Sequence, residues 1–221
     1  AVPVGNASFE SPATTFVNPF IDGWRKTPQP SWFDPAFTQG VTWEQLSGAF
    51  ANPAVGQANR KENMDGNQGV YLFALPGVGL LQELGATYQA GMAYQLTVGL
   101  TGGGGGMPVG TAFQLGLYYL DGASLVPLAS TLVTHSTEQC PTTTRFVDVS
   151  VSLAAVEAGQ AWAGKPIGVQ LVSASGTGAG YWDLDQVRLE ASVVPEPGSL
   201  ALLGLGAGAG AVWLIRRQPR R

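Results

Sequence analysis

The sequence predicts an all-β protein, an antiparallel β-sandwich, followed by one C-terminal transmembrane helix. Three observations lead to this fold class. Short segments alternate between apolar and polar residues, which is typical of strands that bury one face. Turn-forming residues separate these segments, and the chain holds 31 glycines and 15 prolines. Near its end the chain contains an uncharged, mostly apolar run, 198–215, that is long enough for a membrane helix.

The alternating segments place the predicted strands in order along the chain. Segments 69–75 and 79–84 are expected to pair around Pro76-Gly77, and Asp121-Gly122 predicts a tight hairpin. With their turns, the strands indicate two packed antiparallel sheets. The predicted strands are 7–9, 41–46, 69–75, 79–84, 93–100, 113–119, 125–134, 145–153, 166–172 and 182–189.

The segments between these strands are predicted to be irregular, with one exception. Residues 11–40 are rich in proline and aromatic side chains, and 52–67 are polar with many turn-forming residues. The five glycines at 102–106 predict a flexible loop, because ordering glycine costs more backbone entropy than ordering any other residue. They lack the lysine and the helix start that a phosphate-binding loop requires. Only 154–163 has the character of a short helix.

The chain divides into four predicted parts. These are a β-sandwich ectodomain at 1–192, a proline-rich linker at 193–197, a transmembrane helix at 198–215 and a basic cytoplasmic tail at 216–221. Eighteen residues at about 1.5 Å each span roughly 27 Å, close to the thickness of a bilayer core. Arginines directly after the span predict a cytoplasmic C-terminus and an ectodomain in the periplasm or at the cell surface. Because the chain begins at Ala1, we expect a removed signal peptide, unless the chain was cut at this point.

The C-terminal segment carries three features in a fixed order. Pro195-Glu196-Pro197 precedes the apolar run, and Arg216 and Arg217 follow it. In this order they resemble the PEP-CTERM sorting signal of Gram-negative bacteria. The resemblance implies that an exosortase-type membrane enzyme recognises the tail and processes it. An ordinary single-span anchor is the alternative, and both interpretations place the protein in the inner membrane.

Composition excludes several classes of function. The tail holds four of the eleven basic residues and one of the fifteen acidic residues, which leaves the ectodomain with a net charge near −7. Such a surface argues against nucleic acid as a partner, because phosphate binding needs basic residues. Cys140 is the only cysteine, so no intrachain disulfide can form. His135 is the only histidine, which excludes a multi-histidine metal site and leaves no identifiable Ser/His/Asp triad.

Several short motifs lie at both ends of the ectodomain and in its middle. They are VGNASFE at 4–10, Gly23-Trp24, DGNQ at 65–68, LQEL at 81–84 and YWDLDQVRL at 181–189. In this order they resemble galactose-binding-like jelly rolls, the fold of many carbohydrate-binding modules. The resemblance implies that a structural calcium ties the first and last strands together. The acids that match are Glu10, Asp65, Asp183 and Asp185. The alternative is that these are surface acids without a metal, and no other cofactor is expected.

Two further groups of residues are candidates for a ligand site. Trp24, Trp32 and Trp43 lie close together in the sequence and, if exposed, would stack on a sugar ring or dock a protein. Packing in the core is the alternative for these tryptophans. Asp183 and Asp185 point to the same face of a strand, and a pair of acids is what glycoside hydrolysis requires. Nothing else in the sequence supports an enzyme.

From these observations we expect a non-catalytic protein anchored in the cell envelope, which binds polysaccharide or another surface component. The alternative is an accessory single-span subunit of a larger inner-membrane complex, for example a respiratory or photosynthetic one. In that case the ectodomain stabilises the periplasmic face of the complex, and its partners are the other subunits. An enzyme that acts on glycans ranks last.

Overall fold

The computed structural model describes residues 1–140 and 142–194, and these residues form two antiparallel β-sheets packed face to face. The strands of this described part are β1 (Val17–Asn18), β2 (Arg25–Lys26), β3 (Ser47–Ala51), β4 (Gln68–Phe73), β5 (Gly79–Thr87), β6 (Met92–Gly104), β7 (Ala112–Asp121), β8 (Ser124–Thr134), β9 (Val147–Leu153), β10 (Pro166–Ser173) and β11 (Tyr181–Val193). One sheet has the order β1-β3-β4-β11-β6-β9, and the other has the order β2-β5-β10-β7-β8. The predicted antiparallel sandwich is therefore confirmed.

The sheets face each other because apolar residues alternate along their strands. Phe113, Leu115 and Leu117 of β7 are fully buried, and Trp182 and Leu184 of β11 enter the same core. Burying side chains of this size stabilises the fold by about 1.5–3 kcal/mol each. The core thus determines which residues of each strand point outward. β11 lies between β4 and β6, so its outward residues have neighbours on both sides.

Two predicted strands in the N-terminal part of the chain are not formed. Residues 7–9 lie in and after a turn that carries Phe9 into the core with a φ of 56°. Within 41–46, Trp43–Gln45 forms a 3₁₀ turn instead of a strand. The Gln45 side chain accepts a hydrogen bond from the Thr42 N–H at 3.0 Å, which closes this turn just before β3. Local capping therefore overrides the alternating pattern there.

The two predicted strands on either side of Pro76-Gly77 are formed, but they do not pair. β4 belongs to the six-stranded sheet and β5 to the five-stranded sheet. The Gly77 N–H donates to the Ser173 carbonyl at 2.8 Å, which fixes the connection against β10 as the chain crosses between sheets. The hairpin predicted from Asp121-Gly122 is confirmed, because Asp121 pairs with Ser124 where β7 turns into β8.

The glycine run and the predicted short helix also differ from expectation. β6 continues to Gly104, so part of the run belongs to a strand instead of a loop. Residues 154–163 form turns and not a helix. Trp162 packs edge to face on Tyr88, with 5.2 Å between ring centroids, and this contact holds the segment against the sandwich.

The predicted transmembrane helix at 198–215 and the basic tail at 216–221 lie outside the described residues, as does the linker from Pro195 onward. Within 1–140 and 142–194, no helix is long and apolar enough to cross a membrane. β11 ends at Val193, two residues before the first proline of the Pro195-Glu196-Pro197 motif. The last core strand and the C-terminal segment are therefore adjacent in the sequence.

Candidate active site

The outward face of the six-stranded sheet carries a cleft of about 870 Å³. Residues of β4, β11 and β6 contribute to its lining. Asp183 of β11 lies opposite Tyr71 of β4. Two residues earlier, Tyr181 lies opposite Phe73 of β4 and Gly104 of β6. Since side chains alternate along a strand, these residues share the outward face of the sheet.

Two segments outside these strands also contribute to the lining of the cleft. They are 15–19, around β1, and 52–61. Phe16 stands on the rim with 77% of its surface exposed. Lys61 and Asp183 are the charged side chains among the described lining residues, and most of the others are apolar, aromatic or amide side chains. A concave, mostly apolar cleft with a few polar groups is the usual form of a small-molecule site.

Three aromatic rings of β4 and β11 line the cleft, and we call them the aromatic wall: Tyr71, Phe73 and Tyr181. The centroids of Tyr71 and Phe73 are 6.1 Å apart with an interplanar angle of 76°, an edge-to-face contact. Those of Phe73 and Tyr181 are 6.4 Å apart and tilted by 52°. These are favourable aromatic geometries, so the rings support one another. Together they offer a flat aromatic ligand a place to pack beside Asp183.

A buried ion pair lies in the cleft next to the aromatic wall. The Lys61 Nζ lies 2.6 Å from Asp183 Oδ2, and both side chains are almost completely buried. Lys61 also donates to the carbonyl of Thr143. Its backbone is held by the Asn52 side chain, which accepts from the Lys61 N–H at 2.8 Å and donates to its carbonyl at 3.0 Å. The loop therefore holds the ammonium group in a fixed place against the carboxylate.

The surroundings of Asp183 make its carboxyl easier to protonate. Burial raises the pKa of Asp183 to about 6, although the charge and hydrogen bond of Lys61 act in the opposite direction. Burial also raises the pKa of the Tyr71 phenol, so that group keeps its proton near neutral pH. An acid of this kind in an apolar cleft can both donate and accept a proton under physiological conditions.

The four acids predicted as calcium ligands have two different surroundings. Asp183 faces Lys61, whose positive charge repels a cation, so Asp183 does not fit a calcium site. Asp185 Oδ2 accepts from the Asp65 N–H at 2.6 Å, and Glu10 Oε1 accepts from the first N–H of β4 at 2.7 Å. Within the described residues, no three acidic, histidine or cysteine side chains are arranged to hold a metal ion. Calcium at Glu10, Asp65 and Asp185 stays a prediction.

The three tryptophans predicted as ligand-binding do not form an exposed platform. Trp24 and Trp43 are 8% and 3% exposed and belong to the core. The Trp43 indole N–H donates to the Thr27 carbonyl at 2.8 Å, which satisfies its polar group inside the protein. Trp32 is half exposed and packs edge to face on Trp43, outside the cleft. Only Trp32 therefore has a ring surface open to a ligand.

Sequence reasoning recognised Asp183 but missed its neighbours. Lys61 comes from the polar segment 52–67, where no periodic pattern indicates which side chain turns inward. Tyr71 stands on a predicted strand and Tyr181 lies directly before one, and their shared face follows only from the pairing of β4 with β11. The alternation in YWDLDQVRL was the one available signal, because it places Tyr181 and Asp183 on the face opposite Trp182.

The fold and the cleft define a β-sandwich protein with a mostly apolar cleft that holds a buried ion pair. The chain belongs to the HpiC1-like family, whose model is described as HpiC1 cyclase and matches residues 1–190. A second family model, the PEP-CTERM protein-sorting motif, matches residues 193–218 and confirms the sorting signal predicted from the sequence. Among curated proteins, none matches this chain.

Two solved structures from Fischerella sp. TAU are similar to this chain. One is a cyclase in complex with 4-(1H-indol-3-yl)butan-2-one, with 22% identity, 88% of this chain and 98% of that chain covered, and a TM-score of 0.64. The other is the Stig cyclase Fisc in complex with (3Z)-3-(1-methyl-2-pyrrolidinylidene)-3H-indole, with 22% identity, the same coverage and a TM-score of 0.65. At this identity the likeness shows a shared fold.

These comparisons correct the function expected from the sequence. The predictions of a non-catalytic binding or matrix protein, and of an accessory subunit of a membrane complex, are wrong. The family and the similar structures are cyclases, so the prediction that the chain is not an enzyme is wrong as well. The error arose because the acids of β11 were interpreted as metal ligands, and no other residue in the sequence pointed to an enzyme. The aromatic wall and Lys61 become visible only in the folded chain.

Proposed function

We propose that this chain is a cyclase that closes a ring in a flat, largely apolar substrate by acid–base catalysis, with Asp183 as the group that moves the proton. One observation carries this proposal: a buried carboxyl with its own fixed ammonium partner lies in an apolar cleft, directly beside the aromatic wall. Elsewhere in the described part of the chain, the other acid with a pKa raised to near neutral, Asp185, lies outside this cleft.

The proposed reaction is an isomerisation that needs no co-reactant. The protonated Asp183 donates its proton to a basic atom or double bond of the substrate, which becomes a cation while Asp183 becomes a carboxylate. An electron pair from another double bond of the same molecule then forms the new ring bond and moves the positive charge. Loss of a proton from the ring-closed cation to Asp183 restores the acid. Atoms and charge balance, and the product has the mass of the substrate.

Lys61 and the aromatic wall have separate roles in this scheme. The ammonium group of Lys61, 2.6 Å from Asp183, stabilises the carboxylate that appears when the proton leaves. Tyr71, Phe73 and Tyr181 pack around the substrate, and their ring faces stabilise the cation formed in the first step. The apolar lining excludes water, which would otherwise capture that cation.

We propose an indole or a similar fused aromatic ring as the substrate core. The cleft and the aromatic wall have suitable size and chemistry for such a ring. The two Fischerella cyclases named above were solved with indole compounds, which makes those compounds reasonable first probes for this chain. Ring closure also requires a double bond within reach, so candidate substrates are indoles with an unsaturated side chain.

The test is turnover by the full-length chain, purified in detergent. A panel of indoles with unsaturated side chains is incubated with the wild type and with Asp183→Asn, and products are separated and weighed by mass spectrometry. The proposal predicts an isomer of unchanged mass that the wild type forms and the variant does not. Binding of an indole without any isomer would contradict catalysis, and equal turnover by the variant would contradict the role of Asp183.

For the C-terminal segment, we propose a single membrane helix at 198–215 that holds the sandwich outside the cytoplasm until an exosortase-type enzyme processes the tail. The sorting motif at 193–218 supports this, and so do the arginines that follow the apolar run. Protease treatment of intact spheroplasts should degrade the sandwich and spare a label fused after Arg221. Protection of the sandwich would contradict this orientation.

A further inference from the structure

The first three glycines of the run at 102–106 pack against aromatic rings instead of lying free in solvent. At three successive positions a ring occupies the space that a side chain would fill, because a Cβ atom there would approach ring atoms to less than 3 Å. These pairs are Gly102 with Trp182 at 2.6 Å, Gly103 with His135 at 2.9 Å and Gly104 with Tyr181 at 2.5 Å. The rings can therefore pack at these positions only because glycine has no side chain.

Of these three rings, Tyr181 is the one that lines the cleft. Its Cε2 atom would lie 2.5 Å from a Cβ on Gly104, and its Cε1 atom would lie 3.0 Å from a Cβ on Gly105. The ring thus rests along two successive residues of the run.

The backbone conformation separates Gly104 from its neighbours. Gly103, Gly105 and Gly106 have positive φ angles of 95°, 61° and 78°, which favour glycine whatever surrounds them. Gly104 is not among the residues with positive φ, so its backbone accepts alanine without strain. At Gly104 the contact with Tyr181 is the reason that a side chain does not fit.

We propose that the glycine run determines which rings the cleft admits, because Gly104 lets Tyr181 lie against β6 and leaves room for a substrate ring beside Asp183. A side chain at position 104 lifts Tyr181 off the strand. The displaced ring then moves toward Phe73 or over Asp183, and either movement takes space from the substrate. The ligand in this inference rests on the proposed function, whereas the contact between Gly104 and Tyr181 does not.

The first experiment tests the contact without any ligand. Nitration with tetranitromethane attacks the tyrosine carbons next to the hydroxyl-bearing carbon, Cε1 and Cε2, which in Tyr181 are covered by the run. Mass spectrometry of peptides should show severalfold faster nitration of Tyr181 in Gly104→Ala than in the wild type. Gly106→Ala is the matched control, because a Cβ there meets nothing within 4 Å although its φ is strained. Unchanged nitration in Gly104→Ala would overturn the inference.

The second experiment tests the consequence for binding. Affinity for 4-(1H-indol-3-yl)butan-2-one is measured for the wild type, Gly104→Ala, Tyr181→Ala and the double variant, with melting temperature as a check on folding. Gly104→Ala should bind about tenfold more weakly, as expected when a packed site is crowded. In the Tyr181→Ala background the same change should have no further effect, because the displaced ring is absent. A loss of equal size in both backgrounds would show that Gly104 acts through the strand and would overturn the proposal.

The two experiments also distinguish this inference from the proposed function. If the wild type does not bind the indole ketone, the proposed substrate class is wrong. The contact is then judged by nitration alone, where faster reaction in Gly104→Ala supports it and an unchanged rate refutes it. If the wild type binds the probe and the effects of Gly104→Ala and Tyr181→Ala on affinity simply add in the double variant, the proposed substrate class stands. The glycine run then has no role in selecting the substrate.

Discussion

Asp183 and Asp185 stand two residues apart on β11 and point to the same face of the same sheet, yet their surroundings differ in nearly every respect. Asp183 lies in the cleft beside Tyr71, with the ammonium group of Lys61 at 2.6 Å. Asp185 is fully buried and accepts backbone N–H groups from Asp65 at 2.6 Å and Gln186 at 2.7 Å. Asp183 has a cation as its partner and lines the cleft, whereas Asp185 has backbone partners and lies outside the cleft.

The two pKa values show the same contrast. Burial raises the pKa of Asp183 to about 6, and Lys61 opposes that rise. Burial raises the pKa of Asp185 to about 7, its backbone hydrogen bonds oppose the rise, and the charges of Asp65 and Glu10 add to it. Two residues of similar acidity therefore differ in role: Asp183 is the proton donor of the proposed reaction, whereas Asp185 links β11 to the segment that contains Asp65. The surroundings of an acid, and not its position on a strand, thus determine its role.

The largest expected effect is a difference in turnover between variants of Asp183 and of Asp185. Asp183→Asn should lower turnover by about 10³-fold, the usual range for removing a general acid. It should also lower the melting temperature, because it leaves the buried ammonium group of Lys61 without its carboxylate, so turnover is measured well below that temperature. Asp185→Asn is the matched control and should keep turnover in the folded protein while lowering the melting temperature. Isomer formation and thermal unfolding are measured on the same samples. If Asp185→Asn also abolishes turnover without unfolding the chain, the two acids act together and the contrast is wrong.

A second expected effect concerns the ion pair of the cleft. Lys61→Met should destabilise the fold by roughly 3 kcal/mol, because it leaves the buried Asp183 without its cation. The double variant Lys61→Met with Asp183→Asn should recover much of that loss, since no unpaired charge is left. Denaturant unfolding measures both, with Lys165→Met as the control at an exposed lysine. Equal stability of the single and double variants would show that Asp183 does not depend on Lys61.

The pH dependence of turnover tests whether Asp183 acts as a proton donor. Asp183 must be protonated to donate, so kcat/KM should be highest below its pKa and fall about tenfold per pH unit above about pH 6. In Lys61→Met the fall should move to higher pH, because the group that lowers the pKa of Asp183 is gone. A profile that is flat between pH 5 and pH 8 in the wild type would contradict proton donation by Asp183.

The smallest expected effect concerns Asp185 and stability. Its pKa is raised in the folded chain, so in a buffer with a chelator the protein should gain stability as pH falls from about 7 toward about 4, the unfolded value. Asp65→Asn should raise the melting temperature above pH 7 by a few degrees, because it removes a repelling charge. No change on this substitution would show that the two carboxylates do not interact.

The melting temperatures of the wild type and of Asp65→Asn also test the predicted calcium site. If calcium binds among Glu10, Asp65 and Asp185, adding it at pH 7.5 should raise the melting temperature of the wild type. Asp65→Asn should remove that increase, and magnesium serves as the control for ionic strength. An unchanged melting temperature would mean that these acids act through hydrogen bonds alone.

The sequence predicts the sandwich better than it predicts the cleft, for a physical reason. Strands such as β7 and β10 carry apolar residues at every second position, and that pattern depends only on which face is buried. The cleft depends on partners far apart in the chain: Lys61 reaches Asp183 from a loop with no periodicity, and Tyr181 rests on Gly104. The glycine run was interpreted as a loop for the same reason, because the rings that pack on it come from distant parts of the chain.

The tryptophans illustrate the opposite error. Trp24, Trp32 and Trp43 are neighbours in the sequence, and that closeness suggested a common ligand surface. In the folded chain Trp24 and Trp43 contribute to the core, because burying an indole with its N–H bonded is strongly favourable. The rings of the aromatic wall come instead from β4 and β11, where only the pairing of the strands brings them together.

The most direct test of the central claim is carbon-13 NMR of the aspartate carboxyl groups, recorded across pH with and without 4-(1H-indol-3-yl)butan-2-one. The Asp183→Asn variant identifies the signal of Asp183. This signal should titrate near pH 6 and shift when the indole ketone binds, while the signal of Asp185 should not respond to the ligand. A carboxyl of Asp183 that stays ionised throughout, or that does not respond to the bound ligand, would contradict its role as the acid of the cleft.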